Sequence, residues 1–500
     1  MTGTQDADEQ SPLLGQPPRA KQTPLPKLQL AAIYAIKLLV PIAGTQILPY
    51  LNLMIQELLE KSGTESNKDR VGYYSGLVST ATHVSQLLPV ILLGTIGIAV
   101  STTLFGLSQS FTAVLLTRFL AGLFGGMIGA IHSVVGELSD STNQSTAFPL
   151  YDIVSALGFV IGPLIGGTFA NPLSQHPSWP WKYLPNHQLF VAYPYLLPCL
   201  VTSFFALIAA TLVLYVLEET LPSRRKPSDK SSSEPRVPTP SSSSSSSDIE
   251  SPNTTNPLQP LPLRALLTIP AIRAVSLSSF ALGFIAAAFN VVFVLVAYTD
   301  TKSGGLGFDP AQIGQALSIM GFISIFLKLS MTVILRPDRP HALTWLFNLT
   351  MSSWVLTFLA FPFLSWVVAL SENSSQGLLD EDTTLTIMGR KAVWFAASFV
   401  LLLSRIGCMA FTLVLILSRE VSPNVASLGT TNGFTEFAQV LGIMGSPVIV
   451  SSLFAYSITH HALGGYLWVL VFSVAAAGCA FIASQVGKYR SSGFSHSQTT

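Results

Sequence analysis

Residues 158–167 read Gly158-Phe-Val-Ile-Gly162-Pro163-Leu-Ile-Gly166-Gly167, inside an apolar stretch without a charge. A proline within a helix costs a soluble protein about 3 kcal/mol, because it removes one backbone hydrogen bond and crowds the preceding turn. In lipid the freed carbonyl can be satisfied by a neighbouring helix, and glycines let that neighbour's backbone come close. A segment built this way is made to bend against a partner. It constrains the chain to fold as helices packed together in a bilayer.

Composition agrees. Hydrophobic residues make up 49% of the 500 positions and charged ones only 10%, against about a quarter charged in soluble domains. Apolar stretches of about 18 residues or more recur, each long enough to cross a hydrocarbon core of about 30 Å. They predict an all-α, multi-pass membrane protein with helices near 29–55, 71–89, 90–110, 111–136, 147–170, 190–217, 271–299, 311–335, 341–370, 391–418, 424–453 and 464–487. The first 27 residues are polar and Pro-rich, without the apolar segment of a cleavable signal. Residues 218–263 are rich in Ser and Pro, with serines throughout 241–247, and cannot bury apolar surface. The expected organisation is a disordered tail (1–28), a six-helix bundle (29–217), a disordered linker (218–263), a second six-helix bundle (264–487) and a tail (488–500). A net charge of +1 gives no reason to expect a nucleic-acid partner. Cys199, Cys408 and Cys479 lie in apolar stretches without metal-ligand spacing and are expected in the core.

Orientation follows from the basic residues. With both termini in the cytosol, cytosolic segments hold 15 of the 26 Lys and Arg. The two halves also repeat each other. Leu115-Leu116-Thr117-Arg118 is echoed by Leu402-Leu403-Ser404-Arg405, and Gly442-Ile-Met-Gly445-Ser-Pro447 is a weaker copy of the 158–167 motif. Repeats of this kind place a cavity at the bilayer midplane between the halves.

The spacing of Gly158, Gly162, Pro163, Gly166 and Gly167 resembles motif C, GxxxGPxxGG, of the major facilitator superfamily, best known from its proton-coupled antiporters. Val71-Gly-Tyr-Tyr-Ser-Gly-Leu77, Gly136-Glu-Leu-Ser-Asp140, Glu218-Glu-Thr-Leu-Pro222 and Gly304-Gly-Leu-Gly307 extend the likeness to the fungal drug-proton-antiporter-like and zinc-induced-facilitator-like group. The resemblance implies a major facilitator fold of two six-helix bundles, acting as a monomer. It implies alternating access, with a small organic solute and protons as its partners. One departure is clear. Motif A should fill the loop after the second helix, yet the 47 residues from Val71 to Thr117 contain no Lys, Arg, Asp or Glu. Two spans and a loop barely fit there, so the second and third helices are expected to be short. The spacing is expected of a truncated gene model or splice form with impaired transport. Loss of this motif keeps a uniporter, or a non-transporting receptor, as alternatives to proton antiport.

Ionisable groups inside membrane helices are costly, so each needs a reason. Arg118 matches the motif B arginine that the resemblance links to proton coupling, and Arg405 is its counterpart in the second half. Glu436 lies within the eleventh helix, with Asn432 and Gln439 at i−4 and i+3 on roughly the same side. A carboxylate there is the leading group for exchanging protons near neutral pH, unless it is fixed in an ion pair with an arginine such as Arg405. His83 and Asp152 are further coupling candidates. Gln46, Asn52 and Asn290 are, with Asn432 and Gln439, candidates for the substrate cavity. Lys37 is read as snorkelling to the interface. There is no phosphate-binding loop, metal motif or nucleophile elbow, so the chain is not expected to be an enzyme or to hold a cofactor. Glu9-Gln-Ser-Pro-Leu13-Leu14 resembles the acidic dileucine signal read by sorting adaptor complexes, which predicts a vacuolar rather than a plasma membrane.

Overall fold

The structure is a computed structural model that describes residues 26–61, 71, 74, 78, 91–125, 144–175, 187–216, 261–301, 304–334, 342–376, 383–423 and 427–496. Glu9, Leu13, Leu14 and His83 lie outside these residues, as do most of the expected second helix and all but the last residues of the linker. The helices that frame the site are α1 (Lys27–Thr45), α2 (Leu51–Lys61), α3 (Ile91–Gly106), α4 (Phe111–Gly125), α5 (Gln144–Phe169) and α6 (Leu196–Val216) in the first half. The second half contains α7 (Pro270–Tyr298), α8 (Pro310–Ile334), α9 (Ala342–Gln376), α10 (Thr383–Cys408), α11 (Ala410–Glu420), α12 (Leu428–Thr459) and α13 (Leu467–His496). Among the described residues, eight helices are long and apolar enough to cross a membrane, and Leu92–Gly106, Phe111–Gly125 and Ile153–Phe169 are shorter apolar ones.

Three expected single helices are broken; in the sixth, a short helix at His187–Ala192 stops before Leu196–Val216, with Leu196 N bonding Tyr193 O at 3.1 Å. The first ends at Thr45 and resumes at Leu51. Pro49 has no N–H to give the Thr45 carbonyl, and the chain tightens instead, with Leu48 N bonding Thr45 O at 3.1 Å. The tenth breaks at Met409, between α10 and α11, where Met409 N bonds back to Ile406 O. The last helix runs to His496, although its apolar span ends at Gly487.

Helix α7 is the hub of the second half. In its most apolar window 72% of residues are buried, against 39% for α8, α9 and α13. Its Phe289 meets Trp354, Phe358 and Phe361 of α9 at ring-centroid distances of 5.9, 6.5 and 6.0 Å. Trp468 and Phe472 of α13 extend the cluster, at 5.1 Å from Phe361 and 5.6 Å from Phe358. Among the described residues, the first half shows two packing clusters. One is centred on Ile33, Ile36, Tyr151 and Ala206, and the other on Tyr50, Met54, Phe105 and Cys199. Helix α5 packs against both α1 and α8, joining the halves. The end of the assembly where α1, α5, α7 and α12 begin is called the near face below, and the opposite end the far face.

Candidate functional site

The glycines of α5 do two jobs. A Cβ at Gly158 would lie 2.6 Å from the Leu38 carbonyl and 2.7 Å from Pro41 Cγ, and one at Gly162 would meet Thr45 Oγ1 and, at 3.0 Å, the Ile42 carbonyl. A Cβ at Gly166 would run into the Gln46 carbonyl. One edge of α5 therefore lies backbone to backbone on α1. Gly167 turns the other way, towards α8, where a Cβ would lie 2.7 Å from the Pro310 carbonyl and 3.0 Å from Gly314 Cα. Pro163 O in turn faces Gly314, and Ser318 Oγ donates to Val160 O at 2.9 Å. The proline-glycine segment thus forms part of the junction between halves. Its copy in α12 does less: Gly442 is pressed on Phe280 and Phe284 of α7, while Gly445 faces open space.

Arg118 is only 2% exposed, within the first half. Its guanidinium lies 3.8 Å from the centroid of the Phe105 ring. Beside it a polar cluster links α1, α6 and the turn before α2. Gln46 Nε2 donates to Cys199 Sγ at 3.7 Å, Tyr50 Oη donates to Gln46 Oε1 at 3.3 Å, and Tyr50 Oη and Cys199 Sγ lie 3.6 Å apart. Arg118 Nε and Nη2 have no hydrogen-bond partner among the described residues. Gln46 is fully buried in this cluster, and Asn52 is buried below it. Cys199 and Cys479 are buried and Cys408 is half-buried; all three are free thiols.

The other coupling candidates are dispersed. Glu436 is exposed on α12. The charge acting on it comes from Lys37 of α1, across the junction, and not from Arg405. Lys37 does not simply reach for the interface: its Nζ sits 4.1 Å from the centroid of the Tyr151 ring on α5, and Tyr34 flanks that ring at 6.5 Å. Lys37 is the residue that sequence reading missed, since a pairing between residues so far apart in the chain leaves no local signal. Asn432 and Gln439 are held by other helices. Ser418 Oγ donates to Asn432 Oδ1 at 2.5 Å, and Ser279 Oγ donates to Gln439 Oε1 at 3.4 Å. Arg405 is half-buried and its Nε donates to Ser404 Oγ at 3.2 Å. Asn290 is half-buried on α7, with Oδ1 unpartnered among the described residues. The backbone of Asp152 belongs to α5. The contact of Phe159 with Gly321 fixes the antiparallel register of α5 and α8, which brings residue 152 level with Lys328 two turns further on.

At the far face, the Tyr298 hydroxyl at the end of α7 donates to Gln56 Oε1 of α2, tying one half to the other. Next to Gln56, burial pushes the Glu57 carboxyl above its ordinary value. Leu48 also packs into the core of the second half. The far face is thus stitched across the halves, while Glu436 near the other end stays exposed. Replacing Tyr298 by phenylalanine removes one bond worth about 1 kcal/mol, a shift of about fivefold in a two-state balance. With a Thr301→Cys reporter, half-buried just beyond the end of α7 at the far face, thiol-reagent labelling should rise by about that factor when Tyr298→Phe is added. An unchanged rate would show that this contact does not hold the far face shut.

Comparison with known proteins now bears on this arrangement. The profile of the Major Facilitator Superfamily matches residues 80–447. The major facilitator-type transporter psiT2 of Psilocybe cyanescens is 31% identical over 489 residues, spanning 91% of this chain and 89% of that protein. The efflux pump azaK of Aspergillus niger is 26% identical over 498 residues, 93% of this chain and 92% of the pump. Among solved structures, the nucleoside transporter NupG superposes with a TM-score of 0.54 at 13% identity, over 91% of this chain and 99% of that one. At that identity the likeness is one of fold.

Proposed function

We propose that this chain, which belongs to the major facilitator superfamily, moves a small organic solute by alternating access and drives it by proton antiport through Glu436. Family and relatives make it a multi-pass membrane transporter and not an enzyme. The single observation behind the coupling is the position of Glu436. It is an exposed carboxylate on a membrane-spanning helix, within electrostatic reach of Lys37 in the opposite half. A charge in that position is expensive unless it works. The two bundles rock about the junction between them, so the carboxylate is presented first to one side and then to the other. A likeness to an efflux pump along nearly the whole chain supports export from the cytosol.

The test is purified protein in liposomes carrying a pH-sensitive dye. Glu436→Gln keeps the shape of the side chain but cannot exchange a proton. Proton-driven accumulation should be lost, while exchange of solute down its own gradient persists. Accumulation equal to wild type would remove Glu436 from the coupling step, and solute flux without any proton movement in the wild type would make the chain a uniporter.

For location, the reading is a vacuolar membrane with the near face in the cytosol. It rests on Glu9, Leu13 and Leu14, with an adaptor complex as partner. Replacing Leu13 and Leu14 by alanine should send a fluorescently tagged chain to the plasma membrane without lowering its abundance, because the apolar helices alone supply insertion. A double-alanine chain that stays in the vacuolar membrane would refute the sorting role.

A further inference from the structure

We propose that the first half carries a binding site of its own at the far face, a cleft that takes the ammonium head of a small protonated amine between Glu57 and Tyr195. The site stands apart from Glu436 and does not depend on the coupling proposed above.

The cleft lies between α2, the turn that joins α3 to α4, and the residues just before α6. Met54, Glu57, Lys61, Gln109, Tyr193 and Tyr195 are among its walls. The pattern of α2 sets the first wall. Met54, Ile55, Leu58 and Leu59 are buried, Glu60 and Lys61 are exposed, and Glu57 is half-buried on the boundary between them. The carboxylate is thus drawn out of open water, while Lys61, one turn on, stays in it. The break before α6 brings Tyr193 and Tyr195 to the same cleft.

Tyr195 is only 4% exposed, and its Oη has no hydrogen-bond partner among the described residues. Its ring is stacked on Tyr50, with centroids 5.1 Å apart and 13° between the planes. Tyr50 is itself held by Gln46 and Cys199. The phenol therefore cannot swing out to water, and a buried hydroxyl left unpaired is costly. Glu57 has the matching difficulty, because burial works against its charge. One guest answers both. An ammonium group donates one N–H to the carboxylate and another to the phenol oxygen, and its charge offsets that of Glu57. Tyr193 adds an aromatic wall, which favours a cation over a neutral guest.

The same residues discriminate against other guests. The floor of the cleft has room for little more than one water-sized group, so only the head of a ligand enters and its remainder lies in the open mouth. A divalent metal ion asks for several carboxylates or histidines together, and among the described residues no group of three such side chains occurs. An anion would meet the Glu57 carboxylate.

The test uses the full chain purified in detergent, with Cys408 replaced by alanine and Gln109→Cys as a reporter. Gln109 is an exposed wall residue of the cleft. The probe is n-butylammonium chloride, whose head fits the floor and whose chain reaches the mouth. At ten times its dissociation constant it should slow maleimide labelling by about tenfold. Sodium chloride at the same ionic strength should not. Glu57→Gln should weaken the protection by about tenfold or more, and Tyr195→Phe by about fivefold. Lys61→Gln and Glu436→Gln should keep it, the second because the central cavity is not where the probe binds. Protection that survives Glu57→Gln, or that disappears with Glu436→Gln, would overturn the proposal. Where a circular-dichroism melt shows either cleft variant to be unfolded, the chain with Glu57 and Tyr195 intact decides. Butyrate and n-butanol, of the same length without the positive charge, should give no protection. Protection by either of them, or by potassium chloride, equal to that of n-butylammonium would overturn the amine assignment, as would labelling that no concentration of the probe slows.

Discussion

Solute flux should fall to background when Gly162 is replaced by leucine together with Pro163 by alanine, while expression stays near normal. A leucine at Gly162 would drive into Thr45 and the Ile42 carbonyl. The obstacle is partly backbone, so side-chain repacking cannot relieve it and α5 must move off α1. Overpacking typically costs about 1–3 kcal/mol, which a membrane bundle survives but a two-state balance does not: that is a shift of roughly 5- to 150-fold between open states. The control lies in the second half. Gly445 faces open space, so Gly445→Ala should leave flux unchanged. Normal transport by the double variant would show that close approach of α5 and α1 is not needed for rocking.

Arg118→Lys should be nearly as damaging as Arg118→Met, with proton-driven accumulation down by about tenfold or more. Charge alone is not what the site holds. The guanidinium lies 3.8 Å from the centre of the Phe105 ring, and an ammonium on a flexible stem cannot reproduce that contact together with several directed N–H groups. Because Nε and Nη2 are buried without partners among the described residues, they are the groups best placed to receive a carboxylate or a water during the cycle. A circular-dichroism melt would separate the two effects. An intact fold with lost accumulation is the expected pair of results, and full activity in the lysine variant would show that only the positive charge matters.

What could be read from the sequence follows a physical line. Helices α7 to α13 stand within several residues of where unbroken apolar runs place them, because the bilayer dictates length. The Pro163 segment was legible because its glycines and proline act locally along one helix. The break at residues 46–50 was not, since Ile47, Leu48 and Leu51 keep the stretch apolar and only the missing N–H of Pro49 marks it. Gln46 looked like a cavity residue by depth alone, and its rotation into the first bundle depends on which side of α1 meets Gly166. Asn432 and Gln439 share a helix face with Glu436, yet Ser418 and Ser279 claim them from other helices. Lys37 is placed in sequence only by its distance from the membrane surface, and the ring it rests on, Tyr151, comes from α5. Depth is written in the sequence; azimuth and partner are written in the packing.

The aromatic cluster and the helix break have a mechanical consequence. The second half is locked by one continuous aromatic cluster from α7 through α9 to α13, and interdigitated rings of that size resist shear. In the first half α1 stops at Thr45 and α2 starts at Leu51, and an interrupted ladder of helical hydrogen bonds bends more readily than a continuous one. Elastic work in each cycle should gather at this elbow. Amide exchange in native protein should show it, fast around residues 46–50 and slow along α7.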